Sequence, residues 1–172
     1  MAWSASAIFQ QAMLNPIAGR CWTTAAPTTY SSLSADTINV ALYGNTGTPD
    51  KTAAVASTGY NTGQWVTGNE ITGAGIWAAG GRPLASKAFA IDTGSSSICF
   101  TAANLAGAGS GTLTAVFGCL VYDNTITAGT VAAQGLCYNY FGGSQSVTGG
   151  TFTILWATPG GGAVTAVFNI TV

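Results

Sequence analysis

Residues 112–122, TLTAVFGCLVY, carry apolar side chains at both parities. Read as an extended strand, Leu113, Ala115, Phe117, Cys119 and Val121 fall on one face, and Val116, Leu120 and Tyr122 on the other. A strand apolar on both faces needs cover on both sides. Asp123, Asn124 and Thr125 then break the run with turn-forming side chains, and 136–141, LCYNYF, returns as a second, aromatic-rich strand. The pair predicts the interior of an antiparallel β-sandwich, with Phe117 and Trp156 among its core residues.

The remaining chain is punctuated in the same way. Residues 36–43, DTINVALY, alternate with Ile38, Val40 and Leu42 inward and Thr37 and Asn39 outward, the pattern of a half-buried strand. A long turn over 44–50 leads to one helical turn within 51–57 and short extended pieces at 64–66 and 69–72. A turn over 80–84 enters a strand at 87–92 with Phe89 and Ile91 on one face, and 97–100 is a further strand. Residues 102–111 read as a flexible loop, and 145–150 as a turn. In 151–156, Phe152, Ile154 and Trp156 share a face, and 164–172 closes the chain. Short strands between Gly and Pro turns, with no helix between them, predict an all-β fold: a single antiparallel β-sandwich, jelly-roll-like.

Only the N-terminus predicts a helix, over 3–14. Ile8 and Ala12, and Phe9 and Met13, are i,i+4 pairs; Ser4 or Ser6 caps the start and Asn15-Pro16 stops it. Residues 20–35 are a Thr/Ser/Pro-rich connector. The division expected is therefore an arm and connector at 1–35 and a β-sandwich domain at 36–172. The arm either folds back onto its own sandwich or docks on a neighbouring subunit. In the second case Trp3, Ile8, Phe9, Met13 and Leu14 are the candidate subunit or shell contacts.

Charge bears most directly on function. Of 172 residues 5% are charged, with a net charge of −1, against roughly a quarter in an average soluble domain. A compact chain of this mass exposes about 7,800 Å², so one charge serves roughly 900 Å² of surface. A surface so nearly neutral promotes association. Four scattered basic residues make no nucleic-acid patch. Mean hydropathy is +0.38, yet no window supplies the roughly 20 mainly apolar residues of a membrane helix. With Arg20 the first basic residue, no secretory signal is expected.

Chemistry is sparsely provided for. The chain has no histidine, so Ser-His-Asp and Cys-His arrangements are excluded. Asp92, Asp123 and Glu70 are the carboxylates to weigh for glycoside hydrolysis, and each also reads as an ordinary turn or strand-end residue. Cys21, Cys99, Cys119 and Cys137 lack paired metal-ligand spacing; the last three sit in apolar runs as small hydrophobes, with a disulfide between neighbouring strands left open. The expectation is no catalytic residue, no metal, no cofactor and no small-molecule substrate. A carbohydrate-binding sandwich would need exposed aromatics, for which Trp22, Trp65 and Trp77 are the candidates; core packing is their ordinary role.

The succession DTINVALYGNTGTPD, NEITGAGIWAAGGRPL, GCLVYDNT and NYFGGSQSVTGGTFTILW, spanning about residues 36–156, resembles a family of small virion proteins of tailed bacteriophages. The family shares a strand of the form xIxxALY, an NE-x-x-G-x-G-(aromatic)-x-x-GG-x-x-L stretch (here with Ile76 between Gly75 and the aromatic Trp77), a GxLxYxx(S/T) strand and a closing FG-x-x-x-(S/T)-x-x-x-G-x-F-T segment. The resemblance implies a structural part of the virion, assembled in the host cytoplasm: a capsid decoration or minor capsid protein that binds the major capsid protein and copies of itself, as a trimer by analogy with other decoration proteins. A tail or baseplate component is the alternative that it leaves.

Overall fold

The computed structural model describes residues 3–10, 12, 33–127 and 132–171. Ten strands form among them: β1 (Ala7–Ile8), β2 (Ile38–Tyr43), β3 (Arg82–Pro83), β4 (Ala88–Asp92), β5 (Ser97–Thr101), β6 (Leu105–Ala106), β7 (Gly111–Asp123), β8 (Gly135–Gly150), β9 (Thr153–Ile154) and β10 (Phe168–Thr171). They build a five-stranded sheet in the order β1-β8-β7-β2-β3, a three-stranded sheet β10-β5-β4 and a two-stranded ribbon β6-β9. Every pairing is antiparallel. The all-β, antiparallel expectation is met.

The long β7–β8 hairpin is the spine. Its strands run 13 and 16 residues, and β2 pairs along β7 from Ile38↔Asp123 to Tyr43↔Gly118. One face of this sheet presents Ile38, Val40, Leu42, Leu113, Val116, Cys119 and Val121 to Phe100, Leu105, Ile154, Trp156 and Trp77. The other presents Ala41, Tyr43, Leu120, Tyr122 and Tyr138 to Trp3, Phe9, Ala12 and Trp65. Strand β7 is thus covered on both sides, as its composition requires. So is β2, which the alternation suggested to be half-buried.

The assignment of side chains to the faces of β7 needs correcting. Val116 lies with Leu113, Cys119 and Val121, whereas Phe117 packs, partly buried, on the opposite cluster. Register shifts interrupt the ladder between Leu113, Val116 and Gly118, with Ala115 at φ 55°. A bulge adds one residue and exchanges the faces beyond it, and the second shift, between Val116 and Gly118, exchanges them back, so that Cys119 and Val121 rejoin Leu113. Trp156, by contrast, is buried as expected, with its indole N–H donated to Ala103 O at 2.9 Å.

Other expectations also change. Residues 145–150 continue β8, pairing Val147 with Leu113 and Gly150 with Gly111; glycines 142, 143 and 149 take positive φ, which lets the strand kink without ending. Gly63–Trp65 is a 3₁₀ turn in place of the extended piece expected at 64–66, and a second 3₁₀ turn, Thr67–Asn69, precedes the piece expected at 69–72, where Glu70 bridges antiparallel to Tyr43 and Ile71 N–H donates to Leu42 O at 2.8 Å. Val55–Ser57 supplies the helical turn expected there, and β6 lies within the stretch read as a loop.

Among the described residues, the N-terminal helix expected over 3–14 is absent from 3–9. Ala7–Ile8 is a strand against Tyr138 and Cys137 of β8, and of the other described residues only Gln10 and Ala12 are helical. The reason lies in the backbone: Phe9 N–H goes to Leu136 O at 3.0 Å and Gln10 N–H to Lys51 O at 3.1 Å. A short helix is marginal in water, and the open edge of β8 offers its amides better partners. Met13 and Leu14 lie outside the described residues.

Candidate interaction surface

The sequence-derived contact residues come first. Trp3 and Phe9 are buried within their own chain, 5% and 0% exposed. Trp3 donates its indole N–H to Gly44 O at 2.8 Å and meets Trp65 and Tyr138 edge-on at 5.7 and 6.0 Å; Phe9 meets Tyr138 at 5.5 Å. Ile8 packs partly buried between the two clusters. In this fold the N-terminal aromatics Trp3 and Phe9 fill a core of their own chain.

The three carboxylates weighed for catalysis are held apart in separate settings. Asp92 sits in a ring of backbone amides: Gly94 and Ser95 donate to Oδ1, and Ala163 and Val164 to Oδ2 at 2.9 and 3.0 Å. These N–H groups, that of Val164 foremost, hold its carboxyl below the usual range. It staples the 159–164 turn to the β4–β5 hairpin. Glu70 accepts from Tyr60 Oη at 2.8 Å and from Gly80 N–H at 3.0 Å, and burial pushes its carboxyl up. Tyr60 stacks on Tyr122 at 4.8 Å, and Tyr122 donates to Gly80 O at 2.6 Å. Both Glu70 oxygens, the two tyrosine hydroxyls and the Gly80 amide and carbonyl all find partners here, which is the character of a structural network. Asp123 lies against Asp36.

Cys99, Cys119 and Cys137 are free and buried; burial lifts the Cys119 thiol to about 12. Among the described residues no group of three His, Cys, Asp or Glu side chains comes together, and no helix is long and apolar enough to cross a membrane. Trp65 and Trp77 are buried in opposite clusters, so neither offers a surface for stacking a sugar. Trp22 lies outside the described residues.

Besides Leu155, what is left exposed among the large apolar side chains of the described residues is a face that the alternation in 87–92 hinted at. In the three-stranded sheet Phe89, Phe100 and Phe168 form one cross-strand row and Ile91, Ile98 and Ile170 the next. Side chains two apart in a strand share a face, so all six point the same way. The inner end of this face is core: Phe100 is fully buried and contacts Phe89 and Phe168 at 5.2 Å. The outer end is bare, with Phe89 51%, Ile91 78% and Ile98 40% exposed. Strand β4 is also an edge of its sheet. Lys87 turns its ammonium back to Leu84 O at 3.3 Å, and Asp92 belongs to the opposite parity. Across the Phe and Ile rows the face therefore carries no charge, with Lys87 just beyond its end.

Comparison with protein-family models, with curated proteins and with solved structures finds no match to this chain.

Proposed function

We propose that this chain is a structural protein of a phage particle: a capsid decoration or minor capsid subunit, acting by contact and catalysing nothing. The observation that carries the reading is the bare face of Phe89 and Ile91 on the edge strand β4, continued by Ile98 of the neighbouring β5, in a chain of which only 5% is charged. A protein with so few charges and an uncharged apolar edge is built to have that edge covered by protein. The resemblance of 36–156 to virion proteins of tailed phages supplies the setting. We take the facing layers as a β-sandwich of jelly-roll type, set on the outside of the head against the major capsid protein and further copies of itself. The polar knot at Glu70 and the amide ring at Asp92 serve rigidity.

Gold-labelled antibody against the chain, applied to purified particles with heads and tails separated, tests this. Label spread over heads supports the decoration reading. Label confined to tails moves the protein to the tail or baseplate, and particles free of the chain end the structural reading.

A further inference from the structure

Asp36 stands two residues ahead of β2, and Asp123 ends β7 opposite Ile38 in the ladder. Both side chains are buried, 8% and 0% exposed, and their carboxyls meet. Thr125 N–H donates to Oδ1 of Asp123 at 2.9 Å. Oδ2 of Asp36 and Oδ2 of Asp123 are both buried without a hydrogen-bond partner. Two ionised carboxylates held in this way suffer desolvation and mutual repulsion together. A single proton between the two unanswered oxygens removes both penalties, because a carboxylic O–H donates strongly to a carboxylate.

The surroundings supply no rival charge among the described residues. Asp36 is the one ionisable group there that acts on Asp123. The elements packed at this end bring Ile38 of β2, Thr125 of the following turn and Gln134, whose carbonyl accepts the Asp123 N–H; none is charged. The pair also lies across a seam. Thr37 N–H donates to Thr125 Oγ1 at 2.7 Å, and Asn124 N–H to Thr37 O at 2.8 Å, joining the entry of β2 to the turn that leaves β7.

We propose that Asp36 and Asp123 share one proton, and that this bond is a pH-sensitive clasp holding the turn after β7 to the entry of β2. The inference concerns the fold and stands apart from the virion reading. Burial, and then Asp36, push the Asp123 carboxyl up to about 6. The folded state thus binds this proton more tightly than the unfolded chain, whose carboxylates titrate near 4. The clasp contributes fully below about pH 4 and is lost as the pH rises through about 6.

The test uses Asp123→Asn in the full chain. The amide still accepts from Thr125 N–H and offers its NH₂ to Asp36, imitating the protonated pair. Urea unfolding of both proteins is measured between pH 4.5 and 7.5. The folding equilibrium constant of the wild type should fall, relative to the variant, on the order of ten- to a hundredfold across that range, and Asp36→Asn should show the same crossover. A difference between wild type and variant that is constant with pH overturns the clasp. So does restoration of wild-type stability at pH 7.5 by millimolar Ca²⁺ and its reversal by EDTA, which would make the pair a cation site. Should either variant fail to fold, carboxyl ¹³C titration of the wild type decides: a step near 6 supports the shared proton, and both groups titrating near 4 refutes it.

Discussion

At Gly118 the sheet omits a side chain, and the Trp3 ring occupies the space. A Cβ built there would lie 2.5 Å from Trp3 Cζ3 and closer still to Asn139 O. Gly135 does the same for Phe9, whose ring edge would sit 2.7 Å from an added Cβ. Two glycines on neighbouring strands thus make the seat for two aromatics that begin the chain. Gly118→Ala should displace Trp3 and cost about 1–3 kcal/mol, the usual range for overpacking a filled core. Urea unfolding followed by tryptophan fluorescence measures it, with the native spectrum shifting to the red as Trp3 meets water. Unchanged stability and spectrum would mean that the ring is not seated there. The apolarity of Trp3 and Phe9 is plain in the sequence, but their address is not. Whether such residues cover their own sheet or a neighbour's depends on glycines more than a hundred positions away, and no local pattern links 3 with 118.

In β7 the legible part was the two-sided burial, and the hidden part was the parity. Counting by twos from Leu113 places Ala115 and Phe117 on its side, and any strand without a bulge would obey. The chain instead inserts a residue at Ala115, at φ 55° with its N–H donated to Ser146 Oγ at 3.1 Å. Nothing in TLTAVFG marks this position, because alanine is no signal for left-handed backbone, which costs non-glycine residues about 1–2 kcal/mol. The bulge is imposed by pairing with a glycine-rich β8 whose own kinks fall alongside. Ala115→Gly should therefore raise stability, by up to about 1 kcal/mol once glycine's greater unfolded-state entropy is counted. Ala115→Val, branched at a position with positive φ, should lower it by about 1–2 kcal/mol. Equilibrium unfolding of the two variants beside the wild type reads both signs, and a valine tolerated as well as glycine would remove the bulge.

For the molecule as a whole, fold class was readable because alternation and Gly/Pro turns are local, whereas the exposed face was not. Phe89 and Ile91 carry the same hydrophobic signal as core residues; only the overhang of the three-stranded sheet beyond its cover leaves them in water. That face bears on assembly. Burying an isoleucine or phenylalanine side chain yields about 1.5–3 kcal/mol, and Phe89 and Ile91 stand beside Ile98 of β5 on an edge strand, β4, whose backbone is open to another strand. Antiparallel pairing of β4 with β4 of a second copy about Ala90 would set Phe89 against Ile91 twice over, with no like charges opposed on that face. Ile91→Lys tests this: the residue is 78% exposed, so the fold should change by no more than about 0.5 kcal/mol, while association across β4 should weaken at least tenfold. Sedimentation velocity over a hundredfold range of concentration, with unfolding curves as the control, separates the two effects. A wild type that stays monomeric throughout refutes self-pairing. If in addition Ile91→Lys joins undecorated heads as well as the wild type does, the face serves no contact at all, and the observation on which the structural reading rests is gone.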